Sequence, residues 1–190
     1  MEQTNSIKHW GLLLIRGLVL VATGAYIAFV NKAINPGAIL VFGGLFIGAG
    51  ILGGIYGLFN FRVNRNYFWE LLRSTFDVGF GITFLIYAPK PPSQFVEALS
   101  FWAVLYGLIH AVQAMYIGML SGGNQPRNLT GTVLHLVGVV TGVSLAYTLL
   151  NPDAAEVSWP LTGLLLALLG LIATLLAIQQ RRSYFINRTA

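Results

Sequence analysis

Six apolar runs, each about as long as a bilayer is thick, constrain this chain more than anything else in it: Gly11–Val30, Pro36–Phe59, Phe68–Ala88, Phe95–Met119, Leu129–Leu150 and Val157–Ile178. A helix needs about 20 residues to cross about 30 Å of hydrocarbon. Helices and closed barrels are the only structures that satisfy their backbone there. The connecting segments, among them VNKAINPG, APKPPSQ, SGGNQPRN and NPDAAE, are short and punctuated by proline and glycine, which stop helices. None is long enough for a soluble domain. Only 9% of the residues are charged and 56% are hydrophobic, with a mean hydropathy of +0.72, whereas a soluble domain carries about a quarter charged residues. The expected fold is an all-α membrane protein, one integral domain over residues 1–190, in contact with the lipid bilayer.

The charges that remain read as topology signals. Lys8, Arg62, Arg65, Arg127, Arg181, Arg182 and Arg188 fall on one side, and Arg16 and Arg73 lie in the same half; Lys32 and Lys90 fall opposite. The positive-inside rule then places both termini in the cytoplasm. The net charge of +5 is spread around the apolar runs and forms no phosphate-binding face, so no nucleic-acid partner is expected. Asp153 and Glu156 fall on the outer side, and the sequons at Asn128 and Asn187 would face the cytoplasm, away from glycosylation. Arg16 interrupts the first run and no small-residue cleavage site follows Val30, so that run is read as a retained helix and not a signal peptide. Cysteine is absent, which removes disulfides, thiolate metal sites and a cysteine nucleophile.

The runs repeat in pairs. Arg16–Gly24, Arg73–Gly81 and Leu134–Gly142 each span eight residues in the odd-numbered runs. Phe42, Phe46 and Gly50 become Trp102, Tyr106 and His110 sixty residues on, then Thr162, Leu166 and Gly170. Two outer loops share an Asn–Pro pair, Asn35–Pro36 and Asn151–Pro152. Six transmembrane helices would thus form three repeated helical hairpins, over residues 8–60, 67–120 and 128–180, around an approximate threefold axis along the membrane normal.

An aromatic, an L-L-x-R-G-like start and a glycine eight residues after the arginine, repeated in a six-helix chain, resemble the HdeD-like acid-resistance membrane proteins. The resemblance covers nearly the whole chain. It implies a bacterial inner-membrane protein associated with acid stress. The third unit departs from the pattern, with Leu134 in place of the arginine and His135 beside it, so any role of that arginine is not threefold.

The second run reads FGGLFIGAGILGGIYG, with Gly44, Gly48, Gly50, Gly54 and Gly57 among glycines four apart. That spacing lets helix backbones approach closely, which points to helix packing, with a dimer interface or a solute-lining surface as alternatives. Intramembrane polar residues are the functional candidates. Asp77 falls near mid-bilayer, where an isolated charge costs about 2.5–3.5 kcal/mol. Arg73, four residues earlier, is on the same face and is its expected partner. Tyr106, His110 and Gln113 form a polar stripe on the fourth run, and His110 falls at the depth of Asp77. A nearby carboxylate raises an imidazole pKa and burial lowers it, the balance from which a proton sensor is built. His135 sits near the same end of the fifth run. Trp10, Trp69 and Trp159 mark segment ends, and the basic, aromatic tail QQRRSYFINRTA suits an anionic leaflet.

The histidines lie on separate segments with no H-E-x-x-H or other compact ligand set, so no metal, cofactor or catalytic group is expected. The expected function is non-enzymatic and stress-related: proton sensing, partner binding or bilayer support, with a homo-oligomer or another membrane protein as partner. The alternative is a small channel or transporter, yet the outer halves of the helices hold few polar residues beyond Thr23, Tyr26, Thr83 and Ser144.

Overall fold

The computed structural model describes residues 9–30, 35–61, 67–120, 129–151 and 159–189. Every regular element in them is a helix: α1 (Trp10–Ala25), continued by one π-helical turn (Tyr26–Val30), α2 (Pro36–Asn60), α3 (Tyr67–Tyr87), α4 (Pro92–Leu120), α5 (Leu129–Leu150) and α6 (Trp159–Thr189). These match the six apolar runs. Local chemistry sets the sharpest boundary. Asn35 is extended, its side chain accepts from the Ala38 amide at 2.8 Å, and Pro36 takes the first helical position, where its missing N–H costs nothing. Asn151 directly follows α5, and Pro152 lies outside the described residues. The topology charges Lys8, Lys32, Arg62, Arg65, Arg127, Asp153 and Glu156, the Asn128 sequon and the side chains of the tail from Arg182 onward lie outside the described residues.

Five of the helices are long and apolar enough to cross a membrane. The exception is α3, which at 21 residues has the length but carries Glu70, Arg73 and Asp77. All three are buried. The helix therefore turns its charges inward and leaves Phe68, Ile82 and Ile86 outward. The same inversion holds for the whole bundle: Phe29, Phe101, Met119, Val140 and Tyr147 are more than half exposed, while Arg16, Asp77 and His110 are almost fully covered. This is the architecture of a multi-pass membrane protein.

The helices form a closed ring in chain order, each antiparallel to its neighbours, with α6 returning to α1. Broad and narrow interfaces alternate around it. The broad ones are α1/α6, α2/α3 and α4/α5. Small residues seven apart sit at the first two. Gly17 and Gly24 of α1 cross Gly170 and Gly163 of α6. Gly43, Gly50 and Gly57 of α2 cross Gly81, Ser74 and Leu71 of α3. Gly142 of α5 crosses Ala103 and Gly107 of α4. A Cβ on Gly24 would stand 2.3 Å from the Ala167 amide nitrogen, so the backbones touch there. A seven-residue spacing keeps one stripe facing an antiparallel neighbour at a shallow crossing angle.

This corrects the expected packing glycines. Gly50 and Gly57 belong to the stripe, but a Cβ on Gly44 or Gly48 would meet nothing within 4 Å, and one on Gly54 would only graze Ser74 at 3.8 Å. A step of four residues rotates around the helix faster than a step of seven, so those glycines turn away from α3.

Candidate functional site

The interior is divided by depth. Toward the end where α2, α4 and α6 begin, aromatic rings fill it: Phe42, Phe46, Phe84 and Phe95 pack with centroids 4.8–5.5 Å apart, and Phe46 meets Trp102 at 4.9 Å. From Trp102 the rings continue along α4 to Tyr106 (4.8 Å) and His110 (5.0 Å), then cross to His135 on α5 (5.1 Å). Trp102 is the boundary. Beyond it, toward the other end, the interior is polar.

Two arginines and two carboxylates anchor the polar half. Arg16 of α1 donates to Asp77 through Nη2 at 2.7 Å and Nε at 3.2 Å, and to Glu70 through Nη1 at 3.0 Å. Arg73 donates to the other Glu70 oxygen at 3.0 Å, donates to Gln113 Oε1, and lies over the Tyr106 ring at 5.8 Å. Trp102 Nε1 donates to the second Asp77 oxygen at 3.0 Å. Formal charge thus cancels within the cluster, and each carboxylate oxygen has a donor. That is the condition under which buried ions are tolerated. At the end of the bundle Tyr56 donates to Gln180 at 2.7 Å, and Arg181 stacks over Trp10 at 4.6 Å.

The expected pairing of Arg73 with Asp77 is therefore corrected. Helix side chains lean toward the N-terminus, and an acid placed before a base pairs better than the reverse order. Arg73 accordingly reaches back to Glu70, and Asp77 is neutralised by Arg16 from another helix. Sequence reading passed over Glu70 and Trp102. The signal for Glu70 was present: three residues before Arg73, it shares that face of α3.

Tyr106, His110 and Gln113 are all buried, as is His135. His110 does not reach Asp77. It meets His135 instead, Nδ1 to Nδ1 at 2.9 Å, one ring donating and the other accepting. Gly138, one turn after His135, lies against the His110 ring and makes room for it, since a Cβ there would come within 2.8 Å of the imidazole. In register this pair occupies the place that Gly50 and Ser74 hold at α2/α3 and Gly170 and Gly17 hold at α1/α6. The third interface alone carries two imidazoles where the others carry small residues.

Two small cavities of about 30 and 10 Å³ flank the cluster and share Glu70, Arg73, Leu176 and Gln180; His135 lines the first and His110 the second. These volumes suit up to two waters in the first and a single one in the second. Among the described residues no three His, Asp or Glu side chains gather as metal ligands. No family model matches this chain, and neither a curated protein nor a solved structure matches it.

Proposed function

We propose that this chain is a non-enzymatic, proton-responsive membrane protein that transmits acidity through the α4/α5 interface and conducts nothing. One observation carries the reading: the 2.9 Å Nδ1–Nδ1 contact between His110 and His135. Such a contact needs one unprotonated nitrogen as acceptor. When both rings are protonated, both nitrogens become donors, both rings are cationic, and the bond is replaced by repulsion. The groups facing the pair are Arg16 from α1, Glu70 and Arg73 from α3, and Tyr106, Gln113 and Tyr116 from α4, while α6 contributes the neutral Leu176, Ala177 and Gln180. Because Gly138 holds α5 tight against His110, loss of the contact moves a helix and not only a side chain.

The conduit alternative draws no support from the interior. A polar path would have to pass Trp102 and the Phe42, Phe46, Phe84 and Phe95 cluster, all buried and in ring-to-ring contact. The threefold repeat belongs to the same proposal. The alternation of broad and narrow interfaces, the small residues seven apart at α1/α6 and α2/α3, and the burial of Phe42, Trp102 and Thr162 at sixty-residue spacing all favour it. The bacterial inner membrane, cytoplasmic termini and a role in acid or envelope stress follow from the charge bias and the HdeD-like pattern, with Arg16, Arg73, Gly24 and Gly81 as its matching positions.

The test is thermal unfolding in detergent across pH 7.5 to 4.5. An unfolded chain takes up a proton on each histidine, while the intact pair holds its bond only if one Nδ1 stays bare. The unfolded state therefore binds more protons, and stability falls as pH falls. His135→Gln, which stays uncharged, should flatten that slope. A slope unchanged by the substitution would remove the pair from the mechanism. In sealed liposomes the protein should pass no more protons at pH 4.5 than empty liposomes do; an acid-induced flux lost in Asp77→Asn would replace this reading with a proton conduit.

A further inference from the structure

The cluster has more donors than acceptors. Both Glu70 oxygens, both Asp77 oxygens and the side-chain oxygens of Gln113 and Gln180 already accept hydrogen bonds. Two buried nitrogens have no partner: Arg73 Nε and His110 Nε2. Arg73 and His110 are 4% and 1% exposed, so neither is satisfied from outside. Both residues line the same cavity, together with Arg16. Arg73 Nε can only donate. His110 Nε2 donates whenever its Nδ1 accepts from His135, and always when the ring is protonated. A group that would satisfy both must accept from each and donate to neither. That describes an anion, which brings no proton needing an acceptor, better than water, whose protons would have to turn toward carboxylate and glutamine oxygens that each already have a donor. This cavity, of about 10 Å³, has room for a group about the size of one water or one halide ion.

We propose that this cavity binds one small monovalent anion of halide size, between Arg73 and His110, taken up together with a proton on the histidine pair. The proton is required by charge. The surrounding arginines and carboxylates already cancel, so an added anion leaves a net buried charge unless an imidazolium balances it. This acid dependence rests on the histidine pair acting as proposed above; the anion site rests on the donor surplus alone. The two ideas are linked mechanistically: a first proton on the pair keeps the Nδ1–Nδ1 bond but leaves His110 Nε2 a donor toward the cavity whichever ring carries it, and a second proton breaks the bond.

The experiment is equilibrium binding of radioactive chloride to the purified full chain in detergent, at pH 4.5 and pH 7.5 and at constant ionic strength with gluconate as the balancing anion. The expected result is saturable binding of about one chloride per chain at pH 4.5, displaced by bromide and not by gluconate, and weakened at least about ten-fold at pH 7.5, as one-proton linkage allows. Arg73→Lys keeps the charge but lacks Nε and should abolish it. Glu97→Gln, exposed and remote from the cluster, should leave it unchanged. His110→Gln provides a second variant should Arg73→Lys fail to fold, and should remove the pH dependence. Absence of saturable binding at both pH values, or full binding in a folded Arg73→Lys protein, would overturn the anion site. Saturable binding of equal strength at the two pH values would keep that site and overturn the histidine reading.

Discussion

Asp77 shows how one residue ties distant parts of this chain together. Its two oxygens take donors from α1 and α4, so three helices meet on a carboxylate about 15 Å into α3 at 1.5 Å per residue. Asp77→Asn keeps the shape but leaves the Arg16 guanidinium with Glu70 as its sole anionic partner. Breaking one side of a buried ion pair costs about 3–5 kcal/mol, whereas Glu97→Gln on the exposed side of α4 should stay within about 0.5 kcal/mol. Unfolding of the two variants in the same detergent, followed by helical signal, checks this; equal losses would deny Asp77 its place at the centre of the cluster. At this scale the sequence marked Arg16, Arg73, Asp77, His110, Gln113 and His135 because polar residues in lipid are conspicuous. It assigned Asp77 the wrong partner, Arg73 in place of Arg16. Spacing along one helix says which side chains share a face, but Arg16 and Asp77 are joined only by how α1 and α3 are set around the ring.

Among elements, the α1/α6 and α2/α3 interfaces are made by small residues at intervals of seven, and this gives glycines in one chain opposite sensitivities. Gly24→Ala would drive a Cβ into the α6 backbone, which overpacks the α1/α6 interface at a cost of about 1–3 kcal/mol. Gly44→Ala meets open space and should be neutral or gain up to about 1 kcal/mol through helix propensity. Comparing the midpoints of thermal unfolding for the two variants gives the sign of each; a Gly44→Ala loss as large as that of Gly24→Ala would contradict the seven-residue stripe. Helix number and most boundaries were legible, since bilayer thickness and Asn–Pro chemistry act locally. Which glycines touch a neighbour was not, because the second run is so rich in them that spacings of four and seven coexist.

At the scale of the whole molecule the interior has two solvents: an aromatic half and a neutral-sum polar half, separated at Trp102. Hydropathy along the chain could not display this division, as α2, α3 and α4 each contribute to both halves. The Arg16 cluster also carries a consequence for how the chain is made. The anions that neutralise Arg16 lie 54 and 61 residues downstream. At about 5–20 residues per second of synthesis, several seconds separate the emergence of α1 from the arrival of Glu70 and Asp77. During that interval the first helix holds an unmatched cation costing about 2.5–3.5 kcal/mol in lipid. Chains truncated after α2 should therefore keep α1 inserted less completely than chains truncated after α3, by protease protection of microsomal products, and Arg16→Leu should erase the difference. A contact that steadies the finished bundle obliges the cell's insertion machinery to shelter the first helix until the third has been translated.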